Sequence, residues 1–513
     1  MRTEARSPES VTLADGTDPR RWTALAVLGI AYLMVVLDIA ITNVALPSIQ
    51  RDLGFTIGNL QWVVSGYALT FGGLLLLGGR AGDLLGRRVV FMVGLAVFAL
   101  TSLLCGLSVS SGMLIAARVM QGVAGAILAP SVFSITSVTF REGSERNKAL
   151  GILGAIAGSG AAIGVLLGGV LTEYAGWRWI FFVNVPIGLA TLLLVPAFVR
   201  ESRADGLARH FDAAGALTVT SSLMLLVFGL TRSTTEGWSS LQTIGPLAVS
   251  ALLMAVFLGV ETRSRSPLVP LGIFRRRTLA GANLIGFGLG TAAFGMFFLL
   301  SLYMQQVLGF SAMTTGVGYL AVALTVILTS TVAQGLVTRV GVKPVLATGL
   351  ALLAVGLVYF TRVSVGGSYI GDLFPGFMLI GVGLGFSFVP VSIAALAGVT
   401  GGEAGLASGL INTSQQIGGA LGLAVLTTVS TTRTDHLLAS GTRPLFALTD
   451  GFSLAFWVGA GIAVLALAAA LRMLKRGDLR QPEEAIAEPA VLEVEAPADI
   501  VPDVVPVFDE EPA

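Results

Sequence analysis

Residues 22–47 read WTALAVLGIAYLMVVLDIAITNVALP. Asp38 is the only charged residue in this run, which as a helix is long enough to cross the hydrocarbon core of a bilayer. The run is longer than the apolar core of a signal peptide and lacks a small-x-small cleavage site, so we interpret it as a retained membrane span. A carboxylate at this depth costs about 2.5–3.5 kcal/mol on insertion scales, which favours a functional role for Asp38. The alternative is an acid that only pairs with a neighbouring helix.

The composition extends this interpretation to the whole chain. Of 513 residues, 54% are hydrophobic, only 12% are charged and 65 are glycine. Glycine is frequent in membrane helices because small residues allow close backbone approach. One large soluble core would instead show polar faces at regular spacing. Cys105 is the only cysteine, so no intramolecular disulfide is possible.

Apolar stretches long enough to span a bilayer recur along the chain, and we predict fourteen of them. They lie near residues 22–45, 60–79, 89–108, 113–138, 149–171, 179–199, 212–230, 241–260, 279–305, 314–336, 344–361, 372–399, 406–430 and 451–474. The predicted domains are an N-terminal segment 1–21, a six-helix bundle 22–199, a linker 200–278 with two extra helices, a second six-helix bundle 279–475 and a tail 476–513. The tail is rich in proline and acidic residues and is expected to be disordered.

The basic residues predict the orientation in the membrane. Of the 31 Lys and Arg residues, 24 fall in loops on the side of the N-terminus, six fall in the opposite loops, and Arg118 lies within a span. Because cytoplasmic loops of membrane proteins carry an excess of Lys and Arg, we predict a multi-pass protein of the cell membrane with both termini in the cytoplasm.

Five strings carry a family resemblance. They are LDIAITNVALP at 37–47, GRAGDLLGRR at 79–88, ARVMQG at 117–122, GAAIGVLLGG at 160–169 and WRWIFFVNVPIG at 177–188. In order and placement they resemble the fourteen-helix drug:proton antiporter branch of the major facilitator superfamily, over roughly residues 20–475.

The resemblance implies an all-α polytopic membrane protein with the major facilitator fold, in which two six-helix bundles flank an inserted two-helix hairpin. It implies proton-coupled efflux of amphipathic drugs or antibiotics by alternating access, without a cofactor or a metal. The expected partners are a small amphipathic molecule, protons and the lipid bilayer. The protein is expected to function as a monomer, and nothing indicates binding of nucleic acid.

Arg118 is the predicted partner of Asp38. It is the only basic residue within a predicted span, and the two residues lie at comparable depths on helices that run in opposite directions. Charges inside a membrane usually pair or line a water-filled cavity, so we expect the two to approach each other or to share a polar network. An arginine neighbour favours the ionised acid and burial favours the protonated acid, so conformation or substrate could shift the balance. The alternative is a static ion pair that holds two helices together.

Residues 79–88 are predicted to form a gate on the cytoplasmic side. Gly79 and Gly86 would allow a sharp reversal between the second and third helices, while Asp83 would accept free amide hydrogens at the start of the third helix. Arg87 and Arg88 complete the predicted gate. The family pattern often has a basic residue where Leu84 stands, so the ion pair made there is not expected. The alternative is a simple helix cap beside arginines that only set the topology.

Glycines recur in the fifth predicted span. Gly160, Gly164 and Gly168 stand four residues apart and Gly169 follows, which gives a flat face for close helix packing. We predict that this face is a sliding contact and that it resembles the motif of exporters. That motif normally has proline where Val165 stands, and the loss of proline restores a backbone hydrogen bond and removes a kink.

Candidates for a substrate cavity come from helical spacing. Polar residues form a stripe along the thirteenth span, and aromatic residues form a side of the ninth. The candidates are Asn43, Gln121, Phe294, Phe297, Asn412, Gln415 and Gln416. Aromatic walls with a few amides suit bulky amphipathic molecules, although an aromatic stripe in a membrane helix is more often a packing or lipid-facing surface.

Other functions fit the sequence less well. The only two histidines, His210 and His436, lie in loops on opposite sides, so no cluster suited to catalysis is expected and the protein is not predicted to be an enzyme. The GxGxG at 381–385 lies in an apolar span without a strand or an acidic partner, and there is no P-loop for ATP-driven transport. One acid and one arginine do not make the charged ring of a channel. The closest alternative is a dedicated exporter of one endogenous metabolite, such as a self-made antibiotic, a siderophore or an amino acid.

Overall fold

The computed structural model describes residues 20–140, 144–202, 212–264, 267, 269, 271–397 and 404–474. Within these ranges the chain is helical and contains no strand. The predictions for the tail 476–513, for nearly all of the N-terminal segment 1–21 and for much of the linker before residue 212 lie outside the described residues.

Fourteen helices of fifteen residues or more occur in the described part of the chain. They are α1 Arg21–Leu53, α2 Trp62–Leu85, α3 Arg87–Gly106, α4 Ser111–Thr139, α5 Ser144–Tyr174, α6 Asn184–Phe198, α7 Ala213–Glu236, α8 Leu241–Arg263, α9 Arg277–Leu302, α10 Ala312–Val340, α11 Val342–Phe360, α12 Phe374–Leu396, α13 Ala404–Ala439 and α14 Pro444–Met473. Short helical turns at Ile57–Leu60, Trp179–Phe182 and Leu271–Arg275 precede α2, α6 and α9, while π-helical turns at Tyr303–Val307 and Tyr369–Leu373 follow α9 and precede α12.

Several helices run beyond the apolar stretch that predicted them. The first continues to Leu53 and ends where Gly54 adopts a left-handed conformation with φ 66°. The thirteenth continues to Ala439 through a segment rich in threonine. Hydropathy detects the apolar core of a span but does not detect polar turns that extend the helix beyond that core.

Twelve helices in the described residues are long and apolar enough to cross a membrane, which makes the chain a multi-pass membrane protein. The two long helices outside this set are α5 and α13. The number of spans, predicted as fourteen, therefore stays a prediction.

The first six and the last six helices pack as two bundles. A cluster of buried residues that includes Met34, Phe91 and Leu128 joins the helices of the first bundle. In the second bundle, buried aromatic rings pack edge-on or tilted across α11, α12 and α14, with ring centroids 5.5 Å apart for Phe360 and Phe377 and 5.8 Å apart for Phe360 and Phe456. Offset and edge-on aromatic contacts of this kind add stabilisation beyond their buried area.

The extra helices α7 and α8 form a hairpin between the bundles in sequence. The hydroxyls of Ser222 and Ser250 each donate to the other residue's carbonyl, at 2.8 and 2.7 Å, which joins α7 to α8. On its other side α7 contacts both bundles: Thr231 accepts from Gln61 Nε2 at 2.6 Å, and Thr428 of α13 donates to the Leu230 carbonyl at 3.3 Å.

The two bundles meet at one end and also along α2 and α13, where Leu76 lies against Gly409. We call the side on which α1 begins and α14 ends the terminal side, and the opposite side the far side. Towards the far side, Ser301 of α9 donates to the carbonyl of Asn43 in α1, and Gly316 of α10 contacts the backbone of Val165 in α5. Near mid-depth, Thr413 of α13 donates to the Gly72 carbonyl of α2 at 3.1 Å. The far side is thus closed in this structure.

Candidate functional site

Asp38 and Arg118 form a buried ion pair inside the first bundle. Arg118 Nη1 lies 2.5 Å from Asp38 Oδ2, and the two residues are 1% and 0% exposed. The two charges therefore lie in contact, as the sequence predicted. Separation from water strengthens their attraction, but each charge also loses its hydration, so the pair needs further hydrogen bonds to be stable.

Two amides supply those hydrogen bonds to the carboxylate. Gln121 Nε2 donates to Asp38 Oδ1 at 2.9 Å and Asn184 Nδ2 donates to the same oxygen at 3.0 Å. Gln121 also accepts from Arg118 Nη1 at 2.7 Å and donates to Ser102 Oγ at 2.8 Å. Both carboxylate oxygens thus accept from N–H donors, as expected for an ionised acid.

The guanidinium group of Arg118 is held on two further sides. Its Nε donates to the carbonyl of Val63 at 2.8 Å. Its Cζ lies 4.4 Å from the centre of the Tyr67 ring and 5.6 Å from that of Phe181. A cation over an aromatic face is attracted by the ring quadrupole, so these contacts stabilise the arginine beyond its ion pair with Asp38.

Small residues let the helices of the site approach closely. A Cβ added at Gly122 of α4 would collide with Tyr67 and Thr70 of α2, and one added at Gly188 of α6 would lie 2.9 Å from Ala99 of α3. Glycine at these two positions is needed because the neighbouring helices leave no room for a side chain. The close approach brings the polar side chains of α1, α3, α4 and α6 within hydrogen-bonding distance of each other.

The sequence interpretation missed two members of this cluster, Asn184 and Ser102. Asn184 lies in a string that we used only as a family marker, although a buried amide in an apolar helix is itself a signal of a polar network. Gln121, which was predicted to line a substrate cavity, is 0% exposed in this structure and belongs to the Asp38 network. Its contact with a substrate stays a prediction.

The predicted gate at 79–88 also differs from the expectation. Helix α2 continues to Leu85, so Gly79 lies within the helix beside Pro130, and the chain reverses at Gly86 alone, with φ 113°. The side chain of Asp83 lies outside the described residues. A longer turn was expected because glycines were taken as loop residues, whereas here they also serve close packing of α2 on α4.

Glu201 caps the start of α3, a role that we assigned to Asp83. Its carboxylate accepts from the backbone amides of Arg88 and Val89, both at 3.1 Å. Arg88 Nε also lies 3.9 Å from Glu201 Oε2, and the amide of Arg87 donates to the Ser202 carbonyl at 3.0 Å. Because the amides at a helix N-terminus carry partial positive charge, an acid from the segment after α6 stabilises this turn.

The glycines of α5 serve two different contacts. Gly160, Gly164 and Gly168 face α1, where added Cβ atoms would lie 2.6 to 3.0 Å from Leu33, Ala40 and Ile41. Gly169 faces the second bundle, where its Cβ would lie 2.9 Å from the Ala312 carbonyl of α10. Only the last of these four glycines therefore lies at a contact between bundles, and the idea of a sliding surface stays a prediction.

The other cavity candidates lie between helices or on the surface. Asn412 is exposed and donates to the Ser408 carbonyl of its own helix. Gln415 packs against Gly286 and Gly290 of α9, and Gln416 packs against Gly72 of α2.

The remaining candidates are partly buried. Phe294 contacts Gly419 of α13, and the Phe297 ring lies 5.4 Å from the Tyr319 ring of α10. Asn43 donates to the Ile39 carbonyl of its own helix at 3.1 Å. Contact of any of these residues with a substrate stays a prediction.

Two six-helix bundles that pack face to face, with a buried ion pair in one of them, define a polytopic membrane transporter. A sequence model of the Major Facilitator Superfamily matches residues 28–423. The chain belongs to this superfamily. The fold is also similar to the crystal structure of a bacterial homologue of the human lysosomal transporter Spinster in an inward-facing and occupied conformation, with a TM-score of 0.66, 15% identity, and coverage of 91% of this chain and 100% of that one.

Relatives of higher identity are resistance and export proteins. The chain is 40% identical to a puromycin resistance protein of Streptomyces alboniger, over 89% of this chain and 91% of that protein. It is 40% identical to a cephamycin export protein of Amycolatopsis lactamdurans, over 80% of this chain and 85% of that protein. It is 34% identical to the multidrug resistance protein Stp of Mycobacterium tuberculosis, over 79% of this chain and 75% of that protein.

Proposed function

We propose that the protein is a proton-coupled efflux transporter that exports amphipathic drugs or antibiotics by alternating access of its two bundles. The direction of transport and the substrate class rest on the resistance and export proteins that it resembles. The coupling to protons rests on one observation, the buried Asp38–Arg118 pair.

The chemistry of coupling follows from the contacts of Asp38. In the present arrangement every described side-chain contact to its carboxylate comes from an N–H donor. A proton on either oxygen would replace an accepted hydrogen bond and cancel the charge that balances Arg118. Leaving one member of a buried ion pair uncompensated costs about 3–5 kcal/mol. Protonation therefore disfavours this arrangement and favours one in which Asp38 and Arg118 separate.

Such a difference between two arrangements is what coupling requires. A proton can shift a conformational equilibrium only to the extent that it binds one state more tightly than the other. In this scheme Asp38 is the protonation site. Arg118 is its partner, while Gln121 and Asn184 position the carboxylate. No catalytic residue and no metal is assigned.

The proposed substrate is a small amphipathic molecule. Two versions of the proposal differ in how many different compounds the protein transports. The multidrug version predicts transport of several unrelated compounds. The alternative, a dedicated exporter of one endogenous metabolite such as a self-made antibiotic, is favoured by relatives whose names specify a single antibiotic. With one acid in the membrane-embedded site, strongly charged dications are expected to be poor substrates.

We place the protein in the cell membrane as a monomer, with both termini in the cytoplasm. The excess of Lys and Arg in the loops of the terminal side supports this orientation. The far side, which is closed in this structure, would then face outwards, and the substrate would enter from the cytoplasm.

The proposal is tested by uptake into inside-out vesicles with an imposed pH gradient, acid inside. Puromycin, a cephamycin, lincomycin, a lipophilic monocation and a dication would be compared. We expect accumulation of at least one antibiotic that stops when an uncoupler removes the gradient. Accumulation of one compound only would favour the dedicated exporter, and accumulation that is indifferent to the gradient would contradict proton coupling.

A further inference from the structure

Helix α1 is irregular where it meets α9. Pro47 lies inside the helix and has no N–H, so the carbonyl of Asn43, four residues earlier, lacks its helical donor. A buried carbonyl without a donor is costly, and the bundles must provide one from elsewhere. Ser301 of α9 fills this place by donating from its hydroxyl to the Asn43 carbonyl at 2.7 Å.

Two glutamines in the turn after α9 reach the same part of α1. Gln305 Nε2 donates to the Val44 carbonyl at 2.8 Å, and Gln306 Nε2 donates to Gln50 Oε1 at 2.6 Å. Neighbouring side chains on an ordinary helix point about 100° apart, so Gln305 and Gln306 would not both face one partner easily. They lie in the π-helical turn Tyr303–Val307, a departure from α-helical geometry of a kind that is frequent at functional sites.

We propose that these contacts form a latch that closes the far side. Pro47 exposes the Asn43 carbonyl of α1, Ser301 of α9 donates to that carbonyl, and Gln305 of the turn after α9 donates to the neighbouring Val44 carbonyl. The latch joins the first bundle to the second through side-chain-to-backbone bonds that form only when the far ends meet. Opening of the far side breaks these bonds and lets water satisfy the Asn43 and Val44 carbonyls.

The latch has a direct connection to the coupling site. Asp38 and Asn43 lie on the same helix five residues apart, which corresponds to about 7.5 Å along the axis. A movement of α1 that follows separation of Asp38 from Arg118 would therefore reach the latch within two turns. This step rests on the proposed alternating access, whereas the latch itself is defined by contacts alone.

The latch is tested by measuring the distance between spin labels on the far side in lipid nanodiscs. Labels at V109C and S440C report on the two bundles, because both residues are exposed in far-side turns. Cys105 is wholly buried and stays in place. The variants are Ser301→Ala, Gln305→Met, Pro47→Ala and the double variant of Ser301 and Pro47. The matched control is Ser453→Ala, which removes an equally short hydroxyl-to-carbonyl bond, to Thr361, within the second bundle.

We expect Ser301→Ala and Gln305→Met each to raise the ratio of open to closed far sides about fivefold, which corresponds to about 1 kcal/mol per hydrogen bond. In the Pro47→Ala background the effect of Ser301→Ala should shrink, since the Asn43 carbonyl then has a helical donor. Ser453→Ala should leave the distances unchanged.

Unchanged distances in the Ser301 and Gln305 variants would overturn the latch. If Ser301→Ala has the same effect with and without Pro47→Ala, the proposed role of the proline is wrong. Because the measurement needs no transport, the two proposals can fail separately. Shifted distances in a protein that moves no drug would support the latch and contradict the proposed function. Normal efflux with unshifted distances would support the proposed function and contradict the latch.

Discussion

At the scale of single residues, the carboxylate of Asp38 accepts hydrogen bonds from three side chains, Arg118 and Gln121 of α4 and Asn184 of α6. The sequence predicted its pairing with Arg118, because two lone charges at similar depth inside a membrane have few other partners. Asn184 could not be placed in the same way. It belongs to α6, and only the packing of α6 against α1 and α3 brings its amide to Asp38 Oδ1.

Asn184 provides the first test at this scale. Asn184→Ala removes one N–H donor to a buried carboxylate, a bond worth about 1.5–3 kcal/mol. We expect drug-driven proton movement to slow at least tenfold while substrate binding is retained. The matched control is Thr191→Val on the same helix, which removes a hydroxyl bond to the Ile187 carbonyl of α6 itself. Equal losses in both variants would show that Asn184 only supports the fold.

At the scale of helices, the pattern of apolar residues predicted where most helices lie. It did not predict which neighbouring helix each glycine contacts. The regular spacing in α5 indicated a packing face, and three of these glycines do face α1. The spacing could not show that Gly169 faces the other bundle, because neighbours across a bundle interface are set by the tertiary fold. For the same reason the sequence could not show that Glu201, more than a hundred residues later, caps α3. The contact predicted for Asp83 stays a prediction.

Gly316 of α10 gives a prediction for this scale. A Cβ at this position would lie 2.5 Å from the Val165 carbonyl of α5, so Gly316→Ala forces two backbones apart. Overpacking of this kind costs about 1–3 kcal/mol, and we expect it to weaken the far-side-closed state and to reduce transport. The control is Gly335→Ala on the same helix, where nothing lies within 4 Å. If both variants transport drug equally well, the close approach of α5 and α10 is not needed for closure.

At the scale of the whole molecule, two bundles are joined at the far side and flanked by a hairpin that contacts both. Composition and the spacing of apolar runs were sufficient to predict a polytopic helical protein, and the five strings were sufficient to indicate the family to which the chain belongs. The contacts of α7 with α2 and α13 were beyond prediction, because an apolar helix carries no mark of which neighbours it packs against.

Asp38 is the proposed site that links proton movement to drug movement across the whole molecule. The most direct measurement is the collapse of a pH gradient in inside-out vesicles when a transported antibiotic is added. Wild type would be compared with Asp38→Asn at equal expression, and with Asp52→Asn as the control. Asp52 is also an acid of α1, but it is exposed at the far end and pairs with Arg178 at 2.7 Å.

We predict that the antibiotic collapses the gradient in wild type and in Asp52→Asn and has no effect in Asp38→Asn, because an amide cannot carry the proton. A gradient that still collapses in Asp38→Asn would contradict the central claim and leave the Asp38–Arg118 pair a structural role only.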